Sequence, residues 1–291
     1  MAKQKKIDYE GMGDYFCISS ITLRRYEKND PSKFRIMLFD YEQSLKRDDD
    51  KTEENDTIDF SANAVLMLNF KGGVGKSTLA NIFGEYLGDA VILNTDIAQN
   101  SSEINSCPTV DYDEFAELGV SISGTIKNLR SKYNYVIVDT ASGASEFLGE
   151  SVDTIKNIIV PLTIGSRSRE TTLTMLEVMF GSQSNRSGDY KIFFVVNMLK
   201  AKSKNEKLNK HRDQSLTKLY DELMGFKANE NVSLTMEIGT LDKSDAIATS
   251  ENTGKSIFNM YKQNRDAYKS IASKAKSLCS KIEDLMFGED E

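Results

Sequence analysis

The residues most able to do chemistry lie in a glycine-rich loop that directly follows an apolar run. The run AVLMLNF covers 64–70, and KGGVGKST follows at 71–78. Glycines at three of these positions let the loop bend and let backbone N–H groups approach an anion. Lys76 brings a positive charge to the β- and γ-phosphates, and Ser77 offers a hydroxyl to Mg²⁺. The pattern therefore predicts a site for ATP and Mg²⁺ and, with it, ATP hydrolysis.

The segments around this loop alternate between short apolar strands and helical patterns. Several strands are apolar on both faces, which is typical of a parallel sheet covered by helices. The predicted strands are 64–70, 90–95, 133–140, 157–163, 190–197 and 232–238. The predicted helices are 76–87, 122–133, 169–180, 208–226 and 257–286. This order predicts an α/β fold with a doubly wound, mostly parallel sheet that binds its ligand beyond the carboxyl ends of the strands.

Two segments precede this ATPase domain, which we assign to residues 63–291. The acidic run DDDKTEENDTID has no apolar periodicity and predicts a linker over 48–62. Residues 1–47 predict a small α-helical appendage that contacts a partner, a second subunit or DNA. Its segment TLRRYE is similar to a recognition helix, but GMGDYFCI is a poor first helix for such a motif. Operator binding therefore remains an alternative to a docking role.

Composition narrows the class of protein. A net charge of −7 argues against coating nucleic acid with the whole surface, although 200–212 and the C-terminal helix are locally basic. Three widely spaced cysteines predict neither disulfides nor a metal site, and His211 reads as a solvated surface residue. The N-terminus has no apolar core of a secretory signal, and no apolar run is long enough to cross a bilayer. We expect a cytoplasmic protein without stable membrane insertion.

The loop departs from the strict G-x-x-x-x-G-K-[ST] pattern, because Phe70 occupies the first glycine position. With Lys71 before the glycines it resembles the deviant Walker A motif, K-G-G-x-x-K-[ST], of the ParA/MinD family of P-loop ATPases. ILNTDIAQN is similar to that family's D-x-D-P-Q motif, with Asn94 and Ala98 replacing the first Asp and the Pro. YVIVDTASG is similar to its Walker B segment D-T-P-x-G, with Ala141 replacing Pro. IIVPLTIGSRSRET and SDAIATSENTGKSIFNM extend the resemblance over roughly residues 64–280.

The resemblance implies a role for each matching residue. Asp139 would hold a water of Mg²⁺, Asp96 would orient the attacking water, and Lys71 would reach the partner subunit's nucleotide. Thr78 would contact the α-phosphate, and Asn197 would either read the adenine or satisfy the core or a turn. The predicted catalytic residues are Lys71, Lys76 and Asp96. The predicted nucleotide-binding residues are Lys71, Gly72, Gly73, Val74, Gly75, Lys76, Ser77, Thr78 and Asn197. The predicted metal-binding residues are Ser77 and Asp139.

Within the family, the sequence is most similar to the ParA partition ATPases of plasmids and chromosomes. This implies a homodimer with ATP that binds DNA nonspecifically on the nucleoid, and a ParB-like centromere-binding protein that stimulates hydrolysis. The predicted DNA-binding residues are Lys262, Arg265, Lys269, Lys274 and Lys276, with 200–212 as a second candidate. Four of the five, all except Lys274, would share one helical face.

Two other functions stay open at this point. A MinD-like ATPase, which positions cargo or the division machinery at the membrane, would need a C-terminal amphipathic helix that enters lipid. The last helix here has that character, but it ends in acidic residues that anionic lipid repels. A metabolic or metal-carrier NTPase would need paired cysteines or a tail of tyrosines, and the sequence has neither.

Overall fold

A computed structural model describes most of the chain. The described residues are 8–9, 11, 20–29, 62–96, 107–117, 120–143, 146–200, 203–247, 249, 256–263 and 265–288. Most of the predicted appendage and almost all of the predicted linker lie outside these residues, so their roles stay predictions.

Seven strands form one sheet in the described part of the chain, and every neighbouring pair is parallel. The strands are β1 (Ala64–Met67), β2 (Ala90–Asn94), β3 (Thr109–Asp111), β4 (Tyr135–Asp139), β5 (Asn157–Leu162), β6 (Gly188–Leu199) and β7 (Val232–Asp242). Their order is β3-β2-β4-β1-β5-β6-β7, so the chain winds to one side of β1 and then to the other. The predicted doubly wound α/β fold is confirmed.

Helices cover both faces of this sheet. Within the described residues they are α1 (Ser20–Asn29), α2 (Lys76–Leu87), α3 (Asp113–Ala116), α4 (Ile122–Arg130), α5 (Glu146–Thr154), α6 (Ser166–Phe180), α7 (Glu206–Met224), α8 (Ile257–Gln263) and α9 (Arg265–Phe287). Helices α4 to α7 cover one face, and α2, α8 and α9 cover the other. The single helix predicted over 257–286 was wrong, because two helices, α8 and α9, occupy it. The short β3 and α3, and also α5, were not predicted. Within residues 1–47, α1 (Ser20–Asn29) contains the segment TLRRYE, for which the sequence predicted a helix.

Alternation along the strands divides the core into two layers. On β1, Ala64 and Leu66 face a layer formed with α4 to α7, whereas Val65 and Met67 face α2, α8 and α9. Every residue of β1, β2 and β5 is buried, as the continuous apolar runs predicted. Two packed layers therefore hold the carboxyl end of β1 in a fixed position, and the glycine-rich loop begins there. Within the described residues, no helix combines the length and apolar character needed to cross a membrane.

Candidate nucleotide-binding site

The loop between β1 and α2 has the backbone of an anion cradle. Gly73 and Gly75 have φ angles of 70° and 91°, in the left-handed region that glycine adopts without strain. Gly75 is also the N-cap of α2 and supplies no side-chain cap to the first N–H groups of the helix. Those donors and the positive end of the helix dipole are therefore left to a ligand at the carboxyl edge of the sheet.

Two buried asparagines tie the loop to the strands β5 and β6, which lie on one side of β1. The Asn69 amide donates to the Pro161 carbonyl at 2.8 Å, and its oxygen accepts from the Lys71 N–H at 2.8 Å. Asn197, at the end of β6, donates to the Val74 carbonyl at 2.9 Å. A Cβ atom on Gly75 would clash with this Asn197 amide. The shape of the loop is therefore fixed by neighbouring strands as well as by its own glycines.

Opposite charges meet where the loop becomes a helix. Lys76 is only 7% exposed, and its burial lowers its pKa, although the nearby carboxylates of Asp139 and Asp96 oppose the shift. Burial raises the pKa of Asp139 to about 6, while a hydrogen bond from Ser77 and the charge of Lys76 counteract the rise. The structure thus brings Lys76, Ser77, Asp96 and Asp139 together, as the sequence predicted.

The oxygens of this cluster fit a magnesium ion. Asp139 is 3% exposed, and its Oδ1 atom is buried without a hydrogen-bond partner. A carboxylate oxygen left in this state is costly unless a cation or a water ligand of a cation meets it. With the Ser77 hydroxyl beside it, Asp139 provides the hard oxygen donors that Mg²⁺ prefers. Ser77 and Asp139 are therefore suited to the role that the sequence predicted for them.

The segment that carries Asp96 is tied to both neighbouring strands. The Thr95 N–H donates to the Asp139 carbonyl at 3.0 Å, and the Tyr112 N–H donates to the Asn94 carbonyl at 2.8 Å. The Asn94 side chain accepts from the Asp96 N–H at 3.0 Å and donates to Asp111 at 2.7 Å. Asp96 therefore stands on a fixed backbone at the carboxyl edge of the sheet.

Three predicted ligands have roles that stay predictions. Lys71 and Thr78 are partly exposed on the loop and on the first turn of α2. Asn197 is 4% exposed, with its amide bonded to the loop and its Oδ1 accepting from the Met198 N–H at 2.8 Å. Its observed contacts are with backbone, which is the core-or-turn interpretation; contact with a base stays a prediction.

Sequence reasoning missed two residues that shape this site. Asn69 is a polar residue inside an otherwise apolar run, and that exception was the available signal. Asp111 ends a strand of three residues that the sequence did not predict, so no pattern indicated that it pairs with Asn94.

The basic residues of α9 lie on two flanks. Lys269 and Lys276 are seven positions apart and share one side of the helix, as do Lys274 and Lys281, but the two pairs are separated by about 140°. Lys262 belongs to α8, and the side chain of Arg265 lies outside the described residues. The prediction of one shared face therefore holds for Lys269 and Lys276 and is wrong for Lys262, which lies on another helix; for the side chain of Arg265 it stays a prediction.

Lys274 and Lys281 line a cavity of about 510 Å³ at the carboxyl ends of β6 and β7. Arg212 of α7 lines the same cavity, and Lys274 is bonded to Asp242 there. We call Arg212, Lys274 and Lys281 the basic cavity. Arg212, the last residue of the basic stretch 200–212, therefore lies beside two lysines of the C-terminal helix.

No family model and no curated protein matches this chain. Solved structures do share its fold. A McdA variant from Cyanothece in complex with ATP has a TM-score of 0.52 at 10% identity, with 79% of this chain and 98% of that chain covered. The cell division ATPase MinD of Pyrococcus furiosus has a TM-score of 0.50 at 13% identity, with 77% and 99% covered. MinD of Pyrococcus horikoshii in complex with Mg-ADP has the same score and identity, with 77% and 96% covered.

A parallel sheet with a phosphate loop after its central strand defines a P-loop NTPase fold. Within that class, the solved structures show that this chain has the fold of the ParA/MinD ATPases. The resemblance inferred from the sequence is confirmed as a likeness of fold.

Proposed function

We propose that this chain is a ParA-like ATPase for plasmid or chromosome partition, which hydrolyses ATP to ADP and phosphate with Mg²⁺. The observation that carries the ATPase proposal is the cluster of buried Lys76 and half-buried Ser77, at the start of α2, with buried Asp139 at the end of β4. Its cation and oxygen donors lie beside the uncapped first turn of the helix and an anion-shaped loop. These are the parts that phosphoryl transfer requires, since catalysis there depends on positioning and charge stabilisation.

The residues of the site divide the work by position. The loop N–H groups and Lys76 hold the phosphates, and the low exposure of Lys76 strengthens that contact because little water screens it. Ser77 and Asp139 would hold the metal ion, directly or through its water ligands, and the ion would supply positive charge to offset that of the phosphates. Asp96 orients the attacking water and accepts its proton, from a backbone that is fixed to β4.

The first experiment measures ATP hydrolysis and nucleotide binding in the same variants. Lys76→Ala should lose both, because it removes the phosphate-binding charge. Asp96→Ala should keep ATP affinity within about threefold and lose turnover by about a hundredfold or more, since it lacks only the water-orienting group. Turnover by the parent alone should be slow and should rise with a ParB-like DNA-binding partner. Parental turnover in Asp96→Ala would remove this residue from the mechanism.

We further propose that ATP joins two subunits. Lys71 directly precedes the glycines and is partly exposed, so a second subunit has access to it. A cation delivered from the partner would stabilise charge during phosphoryl transfer, as arginine fingers do. Light scattering should show a dimer of Asp96→Ala protein with ATP and Mg²⁺, and a monomer or a weaker dimer with ADP. If Lys71→Ala protein dimerises and hydrolyses ATP like the parent, Lys71 has no such role.

DNA is the proposed partner of the ATP-bound dimer, which would associate with the nucleoid in the cytoplasm. The surface comprises the predicted residues Lys262, Arg265, Lys269, Lys274 and Lys276, together with Arg212 and Lys281 of the basic cavity. Support comes from the three cations Arg212, Lys274 and Lys281 in one cavity, on a chain whose net charge is −7. Affinity should fall steeply with salt because bound cations release counterions from DNA, and a dimer doubles the contact.

Two matched charge reversals separate the flanks of α9. Lys269→Glu with Lys276→Glu tests the first pair, and Arg212→Glu with Lys281→Glu tests the basic cavity. Each should lower affinity for an arbitrary duplex in fluorescence anisotropy by about tenfold or more, with ATP-driven dimerisation intact. Lys132→Glu with Lys227→Glu is the control, since both lysines are exposed just before strands, at the opposite edge of the sheet. Equal losses in all three double variants would mean that only net charge matters.

One observation bears against the membrane alternative. Ile271, Leu278 and Ile282 of α9 are buried in the core layer with α2, so the apolar side of this helix already covers the sheet. A helix that enters lipid needs that side exposed. Sedimentation with anionic vesicles is the direct comparison: vesicle binding without DNA binding would favour the MinD-like function.

A further inference from the structure

Asn94 occupies the position at which the D-x-D motif has its first aspartate, and it contacts the backbone of Asp96. Its Oδ1 atom accepts from the Asp96 N–H at 3.0 Å, and its Nδ2 atom donates to Asp111 Oδ1 at 2.7 Å. Asn94 is 5% exposed, so both bonds lie in surroundings where an unmade bond is costly. An amide is suited to this place because it offers an acceptor on one side and a donor on the other.

The pairing depends on which residue carries the carboxylate. An aspartate at position 94 would still accept from the Asp96 N–H, but it would face the carboxylate of Asp111 with no donor between them. Like charges at hydrogen-bond distance repel, and the strand segment would be pushed apart. Asp111 and Asn94 are also register partners on β3 and β2, so the backbone cannot separate them without breaking this edge of the sheet.

We propose that Asn94 and Asp111 act as one positioning pair for Asp96. In this pair the carboxylate comes from Asp111 on β3, and position 94, where the D-x-D motif has an aspartate, carries an amide. The proposal rests on the ATPase function proposed above. The structure supports it with a continuous set of bonds: the Tyr112 N–H donates to the Asn94 carbonyl, and the Tyr112 hydroxyl donates to the Val120 carbonyl at 3.0 Å. The three-residue strand β3 thereby has a task in the site, which is to present Asp111.

The test exchanges the two side chains. Asn94→Asp alone sets two carboxylates against each other and should lower kcat by about ten- to a hundredfold, since a small misplacement of a catalytic group has that effect. Asn94→Asp with Asp111→Asn restores one donor and two acceptors in the reverse order. This double variant should recover kcat to within about threefold of the parent. ADP affinity should stay within about threefold of the parent in both.

Two further measurements keep the outcome readable. Asn94→Ala removes both bonds without adding charge and should lower kcat while ADP binding persists. Hydrogen exchange at the Asp96 amide should speed up in Asn94→Ala and return to the parental rate in the exchanged pair. Glu114→Gln, an exposed carboxylate three positions after Asp111, is the control for loss of one negative charge nearby and should match the parent.

The proposal is overturned if Asn94→Ala keeps parental kcat, or if the exchanged pair turns over no faster than Asn94→Asp alone. Failure of the ATPase function itself looks different, because parent and Lys76→Ala would then share the same background rate. In that case the exchange rates of the Asp96 amide still decide whether the pair fixes this segment.

Discussion

Glu85, in the last turn of α2, is half-buried, and both of its carboxylate oxygens are shielded from solvent. Neither of its oxygens has a hydrogen-bond partner, although the Ser256 hydroxyl is near enough to counteract part of the effect of burial. Burial raises the pKa of Glu85 to about 6. Burial of the Cys107 thiol, with a smaller contribution from the charge of Glu85, raises the pKa of that thiol to about 12. An unpaired charge in this layer therefore costs stability at neutral pH.

This leads to a pH-dependent prediction. Between its ordinary pKa of 4.5 and the folded value of about 6, the folded chain binds more protons than the unfolded chain. The contribution is fully present below pH 4.5 and is lost as the pH rises through 6. Glu85→Gln should therefore increase the free energy of unfolding by about 1 kcal/mol at pH 7.5, after allowance for solvent screening, and by about 0.4 kcal/mol at pH 5.

Urea unfolding of the parent and the variant at both pH values checks the prediction. Glu170→Gln, which alters an exposed carboxylate on α6, is the control and should change stability little at either pH. A Glu85→Gln gain that is equal at pH 5 and pH 7.5 would contradict the assigned cause.

The residues of the loop were predictable because their types and spacing are those of a phosphate-binding loop, whereas the residues that hold the site in place, Asn69 and Asp111, were not. The glycines and Lys76 identify themselves by spacing, and Asp139 by its place after a buried strand. Asn69 and Asp111 act through contacts with residues 92 and 17 positions away in sequence, respectively. Pairings of that kind arise from the topology of the sheet and leave no local pattern.

At the scale of elements, β1, its loop and α2 form the unit on which the proposed nucleotide binding depends. Gly75 has a φ of 91°, and the Asn197 amide occupies the place where a Cβ atom at position 75 would lie. An alanine there would be strained by about 1–3 kcal/mol and would also displace Asn197. The loop would then lose the shape that presents its N–H groups.

Gly75→Ala should therefore weaken ATP binding by about tenfold or more, measured by titration with Mg²⁺ present. The matched control is Gly149→Ala, within α5. Its added Cβ would meet only Arg186 Nη2, at 3.8 Å, and its φ is not in the left-handed region. That variant should bind ATP like the parent and gain about 0.5–1 kcal/mol of stability, since alanine favours a helix. Equal effects of both substitutions would rule out the conformational explanation.

Long elements with strong periodicity were predicted well, and short ones were not. The prediction of 76–87 as a helix matches α2, because its apolar residues repeat at helical spacing after the glycine. β3 has three half-buried residues, too few for alternation to be visible. The division between α8 and α9 also left no mark, since neither proline nor glycine occurs between 257 and 287.

At the scale of the whole molecule, the carboxyl edge of the sheet collects the proposed functions. β1 delivers the loop there, β4 delivers Asp139, and β6 and β7 end at the basic cavity. A second subunit placed against this edge would bring its own Lys71 to the opposing nucleotide. The dimer proposal can therefore be tested by mixing defective subunits.

Lys71→Ala and Asp96→Ala proteins should each be inactive alone and active when mixed in equal amounts. A mixed dimer has one competent site, which combines Asp96 of one subunit with Lys71 of the other. Random exchange makes half of the dimers mixed, so about a quarter of parental turnover should return. The control mixes Lys71→Ala with protein that carries both substitutions, and it should stay inactive. No recovery in the first mixture would place any action of Lys71 within its own subunit.

The two asparagine supports have a consequence for reuse of the motif. Asn197 reaches Val74 from a strand two places away from β1 in the sheet, and the chain leaves it through Met198 in a left-handed conformation, with φ of 55°. Asn69 fixes the start of the loop through β5 and α6. The octapeptide KGGVGKST grafted between another strand and helix would retain its sequence but lose the hydrogen bonds from these two amides. Such a chimera should bind nucleotide poorly until both amides are transplanted with it.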